Sequence, residues 1–138
     1  MAVILTGKPV ADALSADTAR RAGALRQRGV SPRLVILRCG ENEADGAYIR
    51  GAVKRGALCG VEVELRALPA DATAADVREA IREINGDGSV HGCLLLRPLP
   101  AALRAAGPAA RSPLPPAKMC VGAKTAGSRG AARFGKAE

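Results

Sequence analysis

The sequence has few aromatic residues, one histidine and no closely spaced cysteines. Its 138 residues include one tyrosine, one phenylalanine and no tryptophan, so the core must be built from Val, Ile and Leu, as in layered α/β proteins. His91 is interpreted as a structural hydrogen-bonding residue, and since no second histidine exists, Ser-His-Asp and Cys-His catalytic arrangements are excluded. The four cysteines form no C-x-x-C pair, which argues against a zinc site and indicates buried, reduced thiols in a cytosol.

Long hydrophobic runs and a strongly charged body are also absent. No apolar run approaches the roughly 20 residues that span a bilayer, and no basic segment leads into an apolar one at the N-terminus, so neither a membrane span nor a signal peptide is expected. Residues 1–100 contain 14 basic and 12 acidic side chains, whereas residues 101–138 contain seven and one. The net charge of +8 therefore lies mostly near the C-terminus, and we expect a cytoplasmic protein with no membrane or nucleic-acid partner.

Alternating strand and helix patterns occupy most of the chain. From residue 33 the order is strand, helix, strand, helix, strand, with connections long enough for crossovers. The expected fold class is α/β, a three-layer sandwich with a mostly parallel sheet. In the first helix, Val10, Leu14 and Leu25 mark the apolar side. The predicted strands are 2–5, 33–38, 61–67 and 92–96, and the predicted helices are 9–27, 44–59 and one opened by a capping box at Thr73 and Asp76.

The last 38 residues depart from this pattern. Twenty-one of them are Ala, Gly or Pro, so the segment buries too little apolar surface to offset its ordering entropy. The expected boundaries are 1–103 for the folded domain and 104–138 for a basic tail that is poorly ordered or an altered, truncated C-terminus. A high-GC gene read in a shifted frame yields such a composition, so a frameshift is a hypothesis that resequencing would test.

The last predicted strand stops at a rigid turn, Arg97-Pro98-Leu99-Pro100. Pro98 and Pro100 lack backbone donors, so the strand ladder cannot continue through them. In open α/β sheets the carboxyl end of such a strand is where ligands bind. The turn is therefore either a stiff loop only or a preformed wall for a flat ligand.

Tyr48 is the other candidate for ligand contact, because it is the one aromatic residue of the folded part. Its ring can stack on a planar ligand, although a lone tyrosine on an amphipathic helix is commonly core packing. At about 100° per residue, Ala52, Arg55 and Cys59 share its helix face, whereas Lys54 points away. On periodicity alone, Lys54 and Arg55 belong to a solvated face.

Several short motifs together resemble one enzyme family over about residues 2–103. The most specific is His91-Gly92, followed by an apolar strand and Pro98-Leu99-Pro100. The resemblance is to the N-terminal catalytic domain of the bifunctional methylenetetrahydrofolate dehydrogenase/methenyltetrahydrofolate cyclohydrolase family. The other matching motifs, in chain order, are Gly7-Lys8, Pro32-x-Leu34, Gly40, Tyr48, Lys54, Gly60, Leu68-Pro69 and Ile84-Asn85.

The resemblance implies an oxidoreductase and hydrolase of one-carbon metabolism. In that family NAD(P) oxidises methylenetetrahydrofolate to the methenyl form, and water opens this to 10-formyltetrahydrofolate. A homodimer without a metal is implied, together with a dinucleotide-binding Rossmann domain, for which these residues hold no G-x-G-x-x-G sequence. By the same resemblance Tyr48 stacks on the folate's aminobenzoyl ring, and Leu96, Arg97, Pro98 and Leu99 contact the substrate.

The sequence departs from the family pattern at positions that matter for catalysis. The family's lysine, four residues after the tyrosine, is Ala52 here, so Lys54 becomes the catalytic candidate if the helix is distorted or shifted. The family's glutamine before the Pro-Leu-Pro turn is Leu96. Met119 and Val121 stand where a later Lys-Asp-Val-Asp-Gly motif has its aspartates. This chain alone is therefore expected to lack dehydrogenase activity and to have weak or no cyclohydrolase activity.

The alternative function is a non-catalytic binding module whose basic tail contacts RNA or acidic partners. The near-neutral body and the shortage of stacking aromatics argue against single-strand binding. Steeply salt-dependent binding to generic nucleic acid would favour this alternative.

Overall fold

The computed structural model describes residues 4 and 6–105. The predicted strands 33–38, 61–67 and 92–96 are confirmed within one residue at each end, as are the helices 9–27 and 44–59. The strand predicted at 2–5 and the tail beyond residue 105 lie outside the described residues, residue 4 excepted. The elements are α1 (Lys8–Gln27), β1 (Arg33–Cys39), α2 (Glu43–Cys59), β2 (Glu62–Leu68), α3 (Ala74–Gly86), β3 (Gly92–Leu95) and α4 (Ala101–Ala105).

The three strands form one parallel sheet in the order β2-β1-β3. β1 is central because both neighbouring strands pair with it, and its residues Val35, Ile36 and Leu37 are fully buried. A run of apolar residues is what a strand covered on both faces requires. The parallel, adjacent arrangement expected from the alternating pattern is therefore confirmed, and with it the α/β fold class.

One face of the sheet packs on α3. Val35 and Leu37 point to this side and join Val77, Ile81 and Ile84 of α3 in a single buried cluster. Thr73 caps α3 in the expected capping box, in which its hydroxyl accepts the Asp76 N–H and its own N–H reaches the Asp76 carboxylate. The cap fixes where α3 begins, and the apolar stripe of α3 fixes which side of the helix meets the sheet.

The opposite face of the sheet packs on α2. Leu34 and Val63 are register partners, and successive strand residues alternate between faces, so Ile36 lies on this side as well. Gly56 of α2 comes directly against Val63. With helices on both faces, the expected three-layer arrangement is confirmed.

The first helix, α1, packs on α2 rather than on the sheet centre, and it uses small residues. Ala22 is its one buried residue, and Cys59 of α2 donates its thiol to the Ser15 carbonyl. Val10 and Leu14 are 63% and 65% exposed, so the apolar side read from the sequence is not the packed side. Small side chains at the contact let the two helices lie close together. Among the described residues, no helix is long and apolar enough to cross a membrane.

Candidate functional site

At the carboxyl-terminal edge of the sheet, the connections that follow β1 and β3 leave towards opposite faces. From β1 the chain crosses to α2 on one face. From β3 it runs into α4, whose Leu103 packs in the α3-side core. Because β1 and β3 are neighbours, their carboxyl ends form a topological switch point, where we expect a crevice, since open α/β sheets bind ligands at such points.

Tyr48 lies in the second turn of α2, close to this edge. Gly40 takes the left-handed conformation at φ 75° and donates its N–H to the Leu68 carbonyl at 2.9 Å, which turns the chain out of β1. Asn42 then caps α2 by accepting the Ala44 N–H at 3.1 Å. Tyr48 is 55% exposed, so its ring is available to a ligand instead of filling the core.

The rest of the Tyr48 face is set by the regular geometry of α2. Ala52 is half-buried on that face, and Arg55 donates from Nη1 to the Ser15 hydroxyl at 2.7 Å, which holds its guanidinium against α1. Lys54 is exposed and lies about 120° around the helix from Tyr48. The structure thus groups Tyr48, Ala52 and Arg55 but does not bring Lys54 to them.

The turn after β3 forms the other side of the crevice. The Leu96 N–H donates to the Leu37 carbonyl at 2.9 Å, which anchors the start of the turn to β1. The Arg97–Pro98 peptide is cis. Leu99 is only 7% exposed and belongs to the core, so it secures the turn, while Arg97 and Pro98 are the residues exposed to a ligand.

A second concavity lies at the same edge, between the carboxyl ends of β1 and β2. It has a volume of about 500 Å³ and is lined by Arg38, Gly40, Glu41, Ala67, Leu68, Pro69 and Ala70. Arg38 is its basic lining residue, and its side chain is only 14% exposed. Arg38 was not among the site residues predicted from the sequence, although a charged residue inside the apolar run from Leu34 to Cys39 was an available signal.

The described residues do not fit a dinucleotide cofactor. A pyrophosphate binds the free N–H groups and positive dipole at a helix N-terminus that follows a strand. The crossover helix α2 carries Glu43 and Asp45 in its first turn, and α3 has Asp76 in its capping box. These carboxylates occupy the N–H groups that an anion would need, or repel the anion by their negative charge. The same residues also contain no group of three or more His, Cys, Asp or Glu that could hold a metal.

Neither His91 nor the nearest thiol supplies a base at this edge. His91 lies just before β3, at the opposite edge of the sheet. There its Nδ1 accepts the backbone N–H of Arg33 at 3.2 Å, and its backbone N–H donates to the Arg33 carbonyl. The structural role expected for it is confirmed. Burial raises the pKa of the Cys39 thiol, which keeps it neutral and poorly nucleophilic.

Comparison with known proteins identifies relatives of this domain. The model of the tetrahydrofolate dehydrogenase/cyclohydrolase catalytic domain matches residues 5–109. The bifunctional protein FolD of Alkaliphilus oremlandii is 44% identical over 103 residues, which are 75% of this chain and 36% of the relative. The FolD of Levilactobacillus brevis is 36% identical over the same shares. The chain therefore spans about a third of the length of these curated relatives.

Solved structures show the same fold. A 5,10-methylenetetrahydrofolate dehydrogenase from the silkworm Bombyx mori superposes with a TM-score of 0.77 at 25% identity, covering 89% of this chain and 42% of that one. The methylenetetrahydrofolate dehydrogenase-cyclohydrolase of Trypanosoma brucei, solved with NADP and an inhibitor, gives 0.71 at 26% identity, covering 81% and 39%.

Proposed function

This chain belongs to the tetrahydrofolate dehydrogenase/cyclohydrolase family, and we propose that its sheet edge binds a tetrahydrofolate derivative for the dehydrogenase and cyclohydrolase reactions of one-carbon metabolism. The observation that carries the proposal is Tyr48, whose 55%-exposed side chain lies in the second turn of α2, the helix that follows the carboxyl end of β1. An exposed aromatic ring beside a switch-point crevice suits a long, planar ligand.

Each site residue then has a distinct task. The Tyr48 ring stacks on the aminobenzoyl ring of the folate. Arg97 and Pro98, with Leu96 behind them, form the wall on the β3 side, and Leu99 holds that wall through the core. Two facing surfaces orient the folate's one-carbon unit, and orientation is a large part of what an enzyme contributes.

We assign the described residues to folate binding alone. NAD(P), which accepts the hydride in the dehydrogenase reaction, is implied by the family, but the helix N-termini described above do not fit it. We further propose residues 1–103 as the folate-binding domain and 104–138 as a separate basic tail, in a cytoplasmic homodimer like those the family implies. The RNA-binding alternative rests on residues outside the described range.

The candidate base for the cyclohydrolase step is Lys54. Ala52 offers only a methyl group to the Tyr48 face, and an arginine guanidinium such as that of Arg55 cannot act as a base. The long side chain of Lys54 is exposed on a neighbouring side of α2, so it would have to bend around the helix. We therefore propose that proton transfer is the weak step of this domain.

Folate binding is tested by titration. Under nitrogen, the purified chain is titrated with tetrahydrofolate in a calorimeter, and a heat-unfolded sample of the same chain serves as the control. Saturable one-site binding by the folded chain is expected. Equal heats from the folded and unfolded samples would refute the proposal.

A further inference from the structure

We propose that the concavity between β1 and β2 is a carboxylate subsite, in which Arg38 binds the glutamyl tail of the folate. The proposal rests on the proposed function, because it assumes that a folate occupies the adjoining crevice. It adds a cationic anchor for the folate on the side of the sheet edge opposite to the β3 turn.

The first argument is the state of the Arg38 side chain. Its side chain is 14% exposed, yet its Nε is buried and has no hydrogen-bond partner among the described residues. Within residues 6–105, its one ion pair runs from Nη2 to Glu41 Oε1 at 3.5 Å, and the Glu41 side chain is 92% exposed. A guanidinium this far removed from water normally has well-formed partners, because an undercompensated buried charge is costly.

The second argument is the space beside that side chain. Besides Arg38 and Glu41, whose side chain is 92% exposed, the concavity of about 500 Å³ is lined by Gly40 and residues 67–70. A guanidinium presents paired N–H groups that match a carboxylate. The combination of one cation and apolar walls suits an alkyl chain that ends in a carboxylate, which is the chemistry of a glutamyl tail.

The third argument is the position of Arg38 relative to Tyr48. Arg38 alternates with Ile36 and Leu34, so it lies on the sheet face that α2 covers. It belongs to the central strand, between the two concavities. The glutamyl group is joined to the aminobenzoyl ring by one amide bond. A ring on Tyr48 and a carboxylate on Arg38 would thus lay the folate across the edge from β3 towards β2.

The experiment compares tetrahydrofolate with tetrahydropteroate, which has the same rings but no glutamate. Both are titrated into the wild-type chain, Arg38→Met and Arg82→Met. Arg82 is an exposed residue of α3 paired with Glu79 and serves as the matched control. We expect wild type and Arg82→Met to prefer tetrahydrofolate by about 10- to 100-fold, the range of a lost charge-assisted pair. In Arg38→Met this preference should vanish while tetrahydropteroate binding stays unchanged.

Two further measurements separate this role from a structural one. Methionine fills much of the same volume without the charge, so Arg38→Met should unfold in urea at the same or a higher concentration than wild type. Glu41→Gln removes the competing carboxylate and should tighten tetrahydrofolate binding alone, by a few-fold. Equal wild-type affinity for both ligands, or a preference that survives in Arg38→Met, overturns the subsite and leaves the proposed function standing. Failure of both ligands to bind folded wild type overturns the proposed function itself.

Discussion

Gly56 of α2 lies directly against Val63 of β2. A Cβ atom added to Gly56 would come within 2.5 Å of Val63 Cγ2 and 2.7 Å of the Val61 carbonyl oxygen, closer than packed atoms can stay. The missing side chain therefore sets how near α2 lies to the sheet. Since Tyr48 is two turns earlier on the same rigid helix, this contact also sets the height of its ring over the carboxyl edge.

We predict that Gly56→Ala destabilises the domain by about 1–3 kcal/mol, the usual cost of overpacking a closed contact. Gly51 is the control on the same helix, because it is exposed and an added Cβ there meets nothing within 4 Å. Gly51→Ala should stabilise the domain by up to about 1 kcal/mol through helix propensity. Urea unfolding of both variants measures the difference, and equal stability of the two would contradict the close approach.

The layers of this fold were predictable because the patterns that specify them are local. The alternation of Val63 and Leu65 with Glu62 and Glu64 indicates a strand, and the Thr73 capping box marks a helix start. How the layers approach each other was not predictable in the same way. Gly56 carries no side chain whose period could show that α2 sits close at that point.

Tyr48→Ala is expected to weaken tetrahydrofolate binding by about 1–2 kcal/mol, the order of a lost aromatic contact. Because the ring is more than half exposed, the change should cost little folding stability. Tyr48→Phe keeps the stacking surface and should bind almost as wild type does. Titration calorimetry measures all three proteins, and an unchanged affinity of folded Tyr48→Ala would place the folate elsewhere.

The α3 cap predicts an acid-dependent contribution to stability. The Thr73 N–H and hydroxyl both donate to Asp76 Oδ2 at 2.8 Å, which lowers the pKa of that carboxyl. A carboxyl whose pKa is depressed on folding stabilises the protein above its unfolded pKa of about 4, and this is lost as pH falls through the folded value. Asp76→Asn should thus be less stable than wild type at pH 7, and the gap should close as the pH falls below the unfolded pKa of about 4 and through the lowered folded one.

Urea unfolding at a series of pH values measures that gap. Asp71→Asn, an exposed aspartate just before the helix, is the matched control and should follow wild type across the series. A gap between Asp76→Asn and wild type that stays constant down to the lowest pH would show that the Asp76 charge is not what stabilises the cap.

Part of the candidate site was accessible from sequence and part was not. Tyr48 and the turn at Arg97 and Pro98 are recognisable because aromatic and Pro-x-Pro residues are rare and follow strand ends. Arg38 was not predicted as a site residue, because only the burial of its side chain on the α2 side of the sheet makes it a candidate. A strand pattern does not show that burial. Val10 is the opposite case. Its apolar side chain predicted a packed position, but Val10 is exposed and α1 packs through small residues instead.

Dehydrogenase activity is not expected from the 138-residue chain by itself. Hydride transfer requires the nicotinamide to be held against the folate carbon, and the described helix N-termini carry carboxylates where a pyrophosphate would bind. The purified chain is mixed with methylenetetrahydrofolate and NADP or NAD, and formation of the reduced nucleotide is followed by absorbance. Nucleotide reduction that scales with the amount of chain would overturn this assignment.

Cyclohydrolase activity should be weak or absent, and any that remains should depend on Lys54. The reaction needs only water, a pocket and a positioned base, and a base usually contributes about 10²–10⁴-fold. Ala52 cannot serve, so Lys54→Met should lower the rate of methenyltetrahydrofolate hydrolysis further, with tetrahydrofolate affinity unchanged. Arg50→Met, an exposed cation on the same helix, is the control for loss of charge. If both variants hydrolyse the methenyl form at the wild-type rate, Lys54 is not the base, and the residual reaction belongs to water in the crevice.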